Sequence, residues 1–158
     1  MPAQPARRTA NGKDEALLDR LCLPMREGEV EVLPGVVETL VELRSRHRLA
    51  LLTKGHPDDQ HRKLAASGLA WLFEEVTVVG EKDPQVYRSL VASRGLDLGS
   101  TWMIGNSPMS DIWPALDAGL GAVLVPHPCT WVLEKRELPT GADRFMVVES
   151  IPELLDRF

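Results

Sequence analysis

The stretch from Trp102 to Gly119 constrains this chain more than any other, because it reads in order as strand, polar turn and helix. Trp102–Ile104 is a short apolar run behind the turn formers Gly99 and Ser100, which suits a buried parallel strand. Ile112, Trp113 and Leu116 share one helical face that stops at Gly119. Proline has no N–H and fits only the first helical turn, so Pro108 and Pro114 confine the helix start to Ser107–Asp111. Asp111 is therefore predicted at a helix N-terminus beside a strand end, the place where open α/β sheets bind ligands. A carboxylate there either caps the helix or holds a cation, and on this turn alone the cap is the commoner use.

The same pattern repeats along the chain. Glu29–Leu33 alternates but runs into Pro34-Gly35, and so reads as an extended lead-in to a helix from Val36 to Arg46 with Val37, Leu40, Val41 and Leu43 as its apolar stripe. Arg48–Leu52 is the first predicted core strand, a continuous apolar run of the kind buried on both faces of a parallel sheet. It ends in Thr53-Lys54-Gly55-His56, after which Pro57 opens a helix that Gly68 closes. Val76–Val79 is the next strand, and Asp83-Pro84 starts a helix with Val86, Leu90 and Val91 inward and Gly95 as its stop. Beyond the Trp102 unit come strands at Gly121–Val125 and Phe145–Val148, then a short helix, Ile151–Leu155, capped by Ser150. Strands alternating with helices predict βαβ units and a Rossmann-like, doubly wound, mostly parallel sheet over residues 34–158. Residues 1–12, rich in Pro, Ala and Arg, are predicted to be a disordered tail. Residues 13–33 read as a short helix around Leu17, Leu18, Leu21 and Leu23 followed by the lead-in.

Composition narrows the functional classes. A chain of 158 residues is one domain's worth. Its net charge of −5 argues against a nucleic-acid partner. No apolar run approaches the roughly 20 residues of a membrane helix, and the first residues hold no apolar signal core, so the expected location is the cytoplasm without a membrane partner. Cys22 and Cys129 are too few and too far apart for a disulfide framework.

Right-handed crossovers bring the strand-to-helix turns to one sheet edge. There Thr53–Pro57 offers a hydroxyl with free N–H groups behind it, Lys82–Pro84 an ammonium, and Asn106–Asp111 a carboxamide and a carboxylate. An anion site beside a cation site is what phosphate chemistry requires, and the ligand implied is a small phosphorylated molecule.

In this order the residues resemble the haloacid dehalogenase-like phosphohydrolases, from Leu33-Pro34-Gly35 to about Leu133. The resemblance implies that Thr53, in Leu51-Leu52-Thr53-Lys54-Gly55, hydrogen-bonds the transferring phosphoryl group, with Lys54 and Gly55 beside it. It implies that Lys82, in Gly80-Glu81-Lys82-Asp83, steadies charge on that group. In Gly105-Asn106-Ser107-Pro108-Met109-Ser110-Asp111 it implies a magnesium site, with Asp111 as an acidic contributor and Asn106 where the family carries another acid. Val125-Pro126-His127-Pro128 followed by Thr130-Trp131 completes the similarity. In the complete family the reaction is magnesium-assisted transfer of a phosphoryl group to an aspartate, then hydrolysis.

The family's first motif, an apolar strand ending in Asp-x-Asp, supplies that nucleophile and its acid–base partner, and no aspartate of this chain stands in such a pair. The expectation is a chain of phosphatase descent that is inactive as written, with the Asp14–Met25 helix as a remnant of the family's cap. The competing expectation is a non-catalytic binding or interaction module. The resemblance also puts the missing strand in the centre, between those at Arg48–Leu52 and Trp102–Ile104, leaving two strand edges without partners. Three resolutions are open: a longer chain supplies the strand, the two strands pair directly, or another chain fills the edge by self-association.

Overall fold

The computed structural model describes residues 30–130 and 132–158. The expected tail and the helix around Leu17–Leu23 lie outside these residues. Val30–Leu33 is an extended lead-in without regular structure, and Gly35, at φ 77°, turns it into helix α1, Val36–Arg46. The inward face of α1 differs from the predicted stripe. Thr39 and Leu43 are buried while Val37 and Val41 are exposed, because Thr39 returns its hydroxyl to the Gly35 carbonyl (2.6 Å) and loses no hydrogen bond on burial.

Strand β1 is Ala50–Lys54, later than predicted, so Thr53 and Lys54 belong to the strand and not to the turn after it. Helix α2, Pro57–Ser67, has proline at its start and Gly68 in the left-handed region at its end, as their backbone preferences dictate. Strand β2, Glu75–Val79, lies parallel to β1 with Ala50 opposite Glu75 and Lys54 opposite Val79. Helix α3, Pro84–Arg94, is capped by Asp83, whose carboxylate accepts from the Val86 N–H at 2.9 Å. Its most buried residue is Tyr87, which the aliphatic stripe did not include.

Strand β3, Trp102–Gly105, runs into a π-helical turn, Pro108–Ile112, and then helix α4, Trp113–Asp117. Both prolines lie in the first turn of their segment, as their missing N–H requires. Strands β4, Gly121–Leu124, and β5, Phe145–Val147, complete a parallel sheet in the order β3-β4-β5. The expected short helix at the end of the chain is a 3₁₀ segment, Ile151–Asp156. Ser150 precedes it but donates to the Glu153 carboxylate (3.0 Å) instead of accepting from the backbone.

The core is layered on β4, whose residues are all buried. Ala122 and Leu124 face Tyr87, Ile112 and Ala115, while Val123 faces Leu43, Val148 and Leu154, the period-two alternation of a strand covered on both sides. Among the described residues all the ladders are parallel, yet they form two sheets, β1-β2 and β3-β4-β5. Among the described residues β1 and β3 share no ladder, so direct pairing across the gap is not the arrangement adopted. Between them lies a cavity of about 460 Å³ lined by Leu51 and Leu52 of β1, Met103 and Ile104 of β3, and Leu40 and Leu43 of α1.

Candidate active site

The carboxyl ends of β1 and β3 and the turn after β2 bring the polar residues together. Asp111 sits in the π-helical turn, but it does not cap it. Ser107 does, its hydroxyl accepting from the Ser110 N–H at 2.9 Å. Asp111 folds back toward the strand, where one carboxylate oxygen accepts from the Ser107 N–H (3.0 Å) and the other from Lys82 Nζ (2.7 Å). The side chains of Lys82 and Asp111 are only 10% and 5% exposed, so this is a buried, hydrogen-bonded ion pair. Breaking such a pair by removing one partner typically costs about 3–5 kcal/mol. Gly105 makes the fold-back sterically feasible, since a Cβ at that position would fall on the Asp111 carboxylate.

The π turn is held from below by α3. Pro114 has no N–H to offer the Ser110 carbonyl, and the buried Tyr87 hydroxyl donates to it at 2.9 Å. Burial, then the nearby Asp111 charge, raises the Tyr87 hydroxyl well above its ordinary pKa, so it remains a donor.

The other predicted residues reach the same edge with different partners. Lys54 extends from the end of β1 to the Ser110 hydroxyl (3.0 Å), to Glu134 by a short ion pair, and to Glu81 at 3.6 Å. Thr53 donates its hydroxyl to Gln60 Oε1 at 2.9 Å. Gly55, at φ 143°, donates its N–H to the Val79 carbonyl (2.9 Å), prolonging the β1-β2 ladder, so it is not among the free N–H groups expected there. Asn106 is exposed and donates its amide to Thr130 Oγ1 at 3.0 Å.

Glu134 was not singled out from the sequence. It lies on a 3₁₀ turn, Val132–Glu134, and its carboxylate accepts short hydrogen bonds from Lys54, Ser107 and Ser110. Burial alone would raise its pKa, but these three donors and the Lys54 charge outweigh it, and the carboxyl titrates below the ordinary glutamate value. For Lys54, burial pulls the ammonium down while Glu134 and Glu81 more than offset it, and its pKa is raised. The two serines flanked by Asn106 and Asp111 were a legible sign of a polar cluster; the carboxylate that completes it was not.

A magnesium ion takes several oxygen ligands, usually with carboxylates among them. Both oxygens of Asp111 are committed to Lys82 and Ser107, and those of Glu134 to Lys54 and the serines. Asn106 contributes a neutral carbonyl oxygen at most. No group of three or more acidic, histidine or cysteine side chains able to hold a metal occurs among the described residues. The described residues therefore do not make a magnesium site by themselves.

Known proteins resemble this chain in sequence and in fold. The sequence model of the haloacid dehalogenase-like hydrolases matches residues 3–119. The chain is 38% identical over 98 residues to a phosphoserine phosphatase of Thermus thermophilus, covering 58% of this chain and 39% of that protein. It is 28% identical over 127 residues to a glyceraldehyde 3-phosphate phosphatase of Methanothermobacter thermautotrophicus, covering 77% of this chain and 56% of that protein. The crystal structure of a haloacid dehalogenase-like family hydrolase from Xanthomonas campestris superposes with a TM-score of 0.75 at 27% identity, covering 94% of this chain and 62% of that one. The chain thus spans between two-fifths and three-fifths of the length of these relatives.

Proposed function

The chain belongs to the haloacid dehalogenase-like hydrolases, and from that premise we propose that it forms the phosphate-binding part of a phosphatase site for small phosphomonoesters. The observation that carries this reading is the buried Lys82–Asp111 pair, which joins the turn after β2 to the turn after β3 at the carboxyl edge of both sheets. Lys82 is the residue that would neutralise a phosphoryl oxygen, and Thr53 the hydroxyl that would bond another after exchanging Gln60 for it. Lys54 and Gly55 extend the same edge. The phosphatase relatives act, by their names, on unlike phosphorylated molecules, so the class and not the individual substrate is the reading.

No Asp-x-Asp pair is present in the chain to attack phosphorus, so the 158 residues are proposed to bind phosphate without turnover. The open edges of β1 and β3, with the cavity between them, are proposed as the seat of the strand that would carry the nucleophile.

The test is an aryl phosphate assay on the pure chain and on the same chain fused to an upstream apolar strand ending in Asp-x-Asp. The expected result is no phosphate release by the chain alone and release by the fusion, lost again in the Lys82→Ala fusion. Turnover at ordinary rates by the chain alone would overturn the inactive reading. A folded fusion that neither turns over nor binds phosphate would overturn the phosphatase reading and leave a binding or interaction module.

A further inference from the structure

Among the described residues, the lysines that reach this edge, Lys54 and Lys82, are each paired with a carboxylate of the same chain. Lys82 is paired with Asp111, and Lys54 with Glu134 and Glu81. A phosphoryl oxygen needs donors that are not already taken up by a carboxylate, so a carboxylate must give way where an anion is to take its place.

The two pairs are not equally easy to open. Lys82–Asp111 is almost wholly buried, and Asp111 is further held by the Ser107 N–H and by the space left at Gly105. Lys54 and Glu134 are 32% and 17% exposed. Glu134 is also the one inward side chain of its turn, since Val132 and Leu133 are 75% and 72% exposed. That turn is tied down on either side of Glu134, by Thr130 on Asn106 and by the Glu137 carbonyl on Trp113 Nε1 (2.8 Å). A rotation of the glutamate side chain can therefore vacate its place without moving the loop.

What Glu134 occupies is a set of donors matched to an oxyanion. The Lys54 ammonium and the Ser107 and Ser110 hydroxyls converge on its two oxygens. Ser107 and Ser110 are buried, and their positions are fixed by the Ser107 cap and by Tyr87 on the Ser110 carbonyl. We propose that Lys54, Ser107 and Ser110 are an oxyanion subsite, that Glu134 fills it in the absence of ligand, and that an oxyanion of the phosphorylated ligand binds by displacing Glu134. Glu134 is then an internal competitor that occupies these donors until a tetrahedral oxyanion arrives. The identity of the ligand rests on the phosphatase reading above; the competition rests on the geometry of the four residues.

The experiment is titration of the 158-residue chain with inorganic phosphate at constant ionic strength, followed by calorimetry, for wild type, Glu134→Gln, Lys54→Met and the double variant. Far-ultraviolet circular dichroism and thermal melts identify variants that fold. The expected result is that E134Q binds phosphate roughly tenfold more tightly than wild type, that K54M binds it markedly more weakly, and that the double variant gains nothing from the glutamine. Equal or weaker binding by folded E134Q, with wild-type binding intact, would overturn the competition and leave the phosphatase reading standing. Failure of wild type and E134Q alike to bind phosphate would overturn both. Ser110→Ala separates the subsite from a simple charge effect: it should weaken phosphate binding in the E134Q background as well.

Discussion

The two sheets of this protein carry similar apolar sequences but reach different degrees of completion. In the three-stranded half, β4 is buried throughout and is covered on one face by α3, α4 and the π turn, and on the other by α1 and the terminal 3₁₀ segment. In the two-stranded half, no residue of β1 or β2 is fully buried and α2 buries none of its residues. The difference lies in neighbours, not in composition. A strand run such as Leu51-Leu52 is as apolar as Ala122-Val123-Leu124, yet one of its edges opens on the cavity that separates it from β3. Apolar patterning says what a strand can bury; the adjacent strand decides how much it does bury.

The joint between the halves should show the largest effect. Asp111→Ala leaves the Lys82 ammonium buried without its partner, and urea unfolding should register a loss of about 3–5 kcal/mol. Native-state hydrogen exchange should accelerate more in β1 and β2 than in β4. Equal acceleration in both halves would mean that the pair does not couple them. Next, Ile112→Ala, at a fully buried site of the complete half, should cost about 3 kcal/mol, whereas Leu51→Ala beside the cavity should cost about 1 kcal/mol. Equal losses in urea titrations would break the comparison.

Asp83→Ala removes the side-chain cap of α3, the helix that connects the halves, and should lower stability by about 1 kcal/mol in the same assay. The smallest effect concerns acid. Glu134 titrates below its ordinary value of 4.5 in the folded chain, so it binds protons less readily there than when unfolded. Its contribution to stability is full above about pH 4.5 and is lost as pH falls through the depressed folded value. Lys54, Ser107 and Ser110 face this group, with Glu81 also near Lys54, and all but Glu81 contact it directly. The stability gap between wild type and E134Q, measured by urea titration at several pH values, should therefore be constant above about pH 4.5 and close only on the acid side.

Much of the site was legible because its signals are local. Lys82, Asp111, Thr53 and Lys54 were placed on one edge by the alternation of strands and helices, and the structure brings Lys54 to Ser110 and Lys82 to Asp111. Thr53 does reach that edge, but its hydroxyl is turned to Gln60. Asn106 turns its amide to Thr130. Those orientations depend on competing partners many residues away, which no spacing rule encodes. Glu134 was missed for the same reason: a glutamate in an exposed loop carries no signal until the loop is folded over the Ser107–Ser110 turn.

The sequence by itself determined the punctuation of this protein. Pro57, Pro84, Gly68 and Gly95 start and stop helices because their backbone limits are intrinsic. The parallel strands followed from that punctuation, and the absence of an Asp-x-Asp pair was a matter of reading the residues. Only the tertiary structure decided that β1 and β3 stay apart, that Tyr87 takes the carbonyl that Pro114 cannot use, and that Glu134 takes the donors of Lys54, Ser107 and Ser110. Local conformational preference is written residue by residue. The pairing of edges, carbonyls and charges is settled by which groups the packed chain leaves unsatisfied.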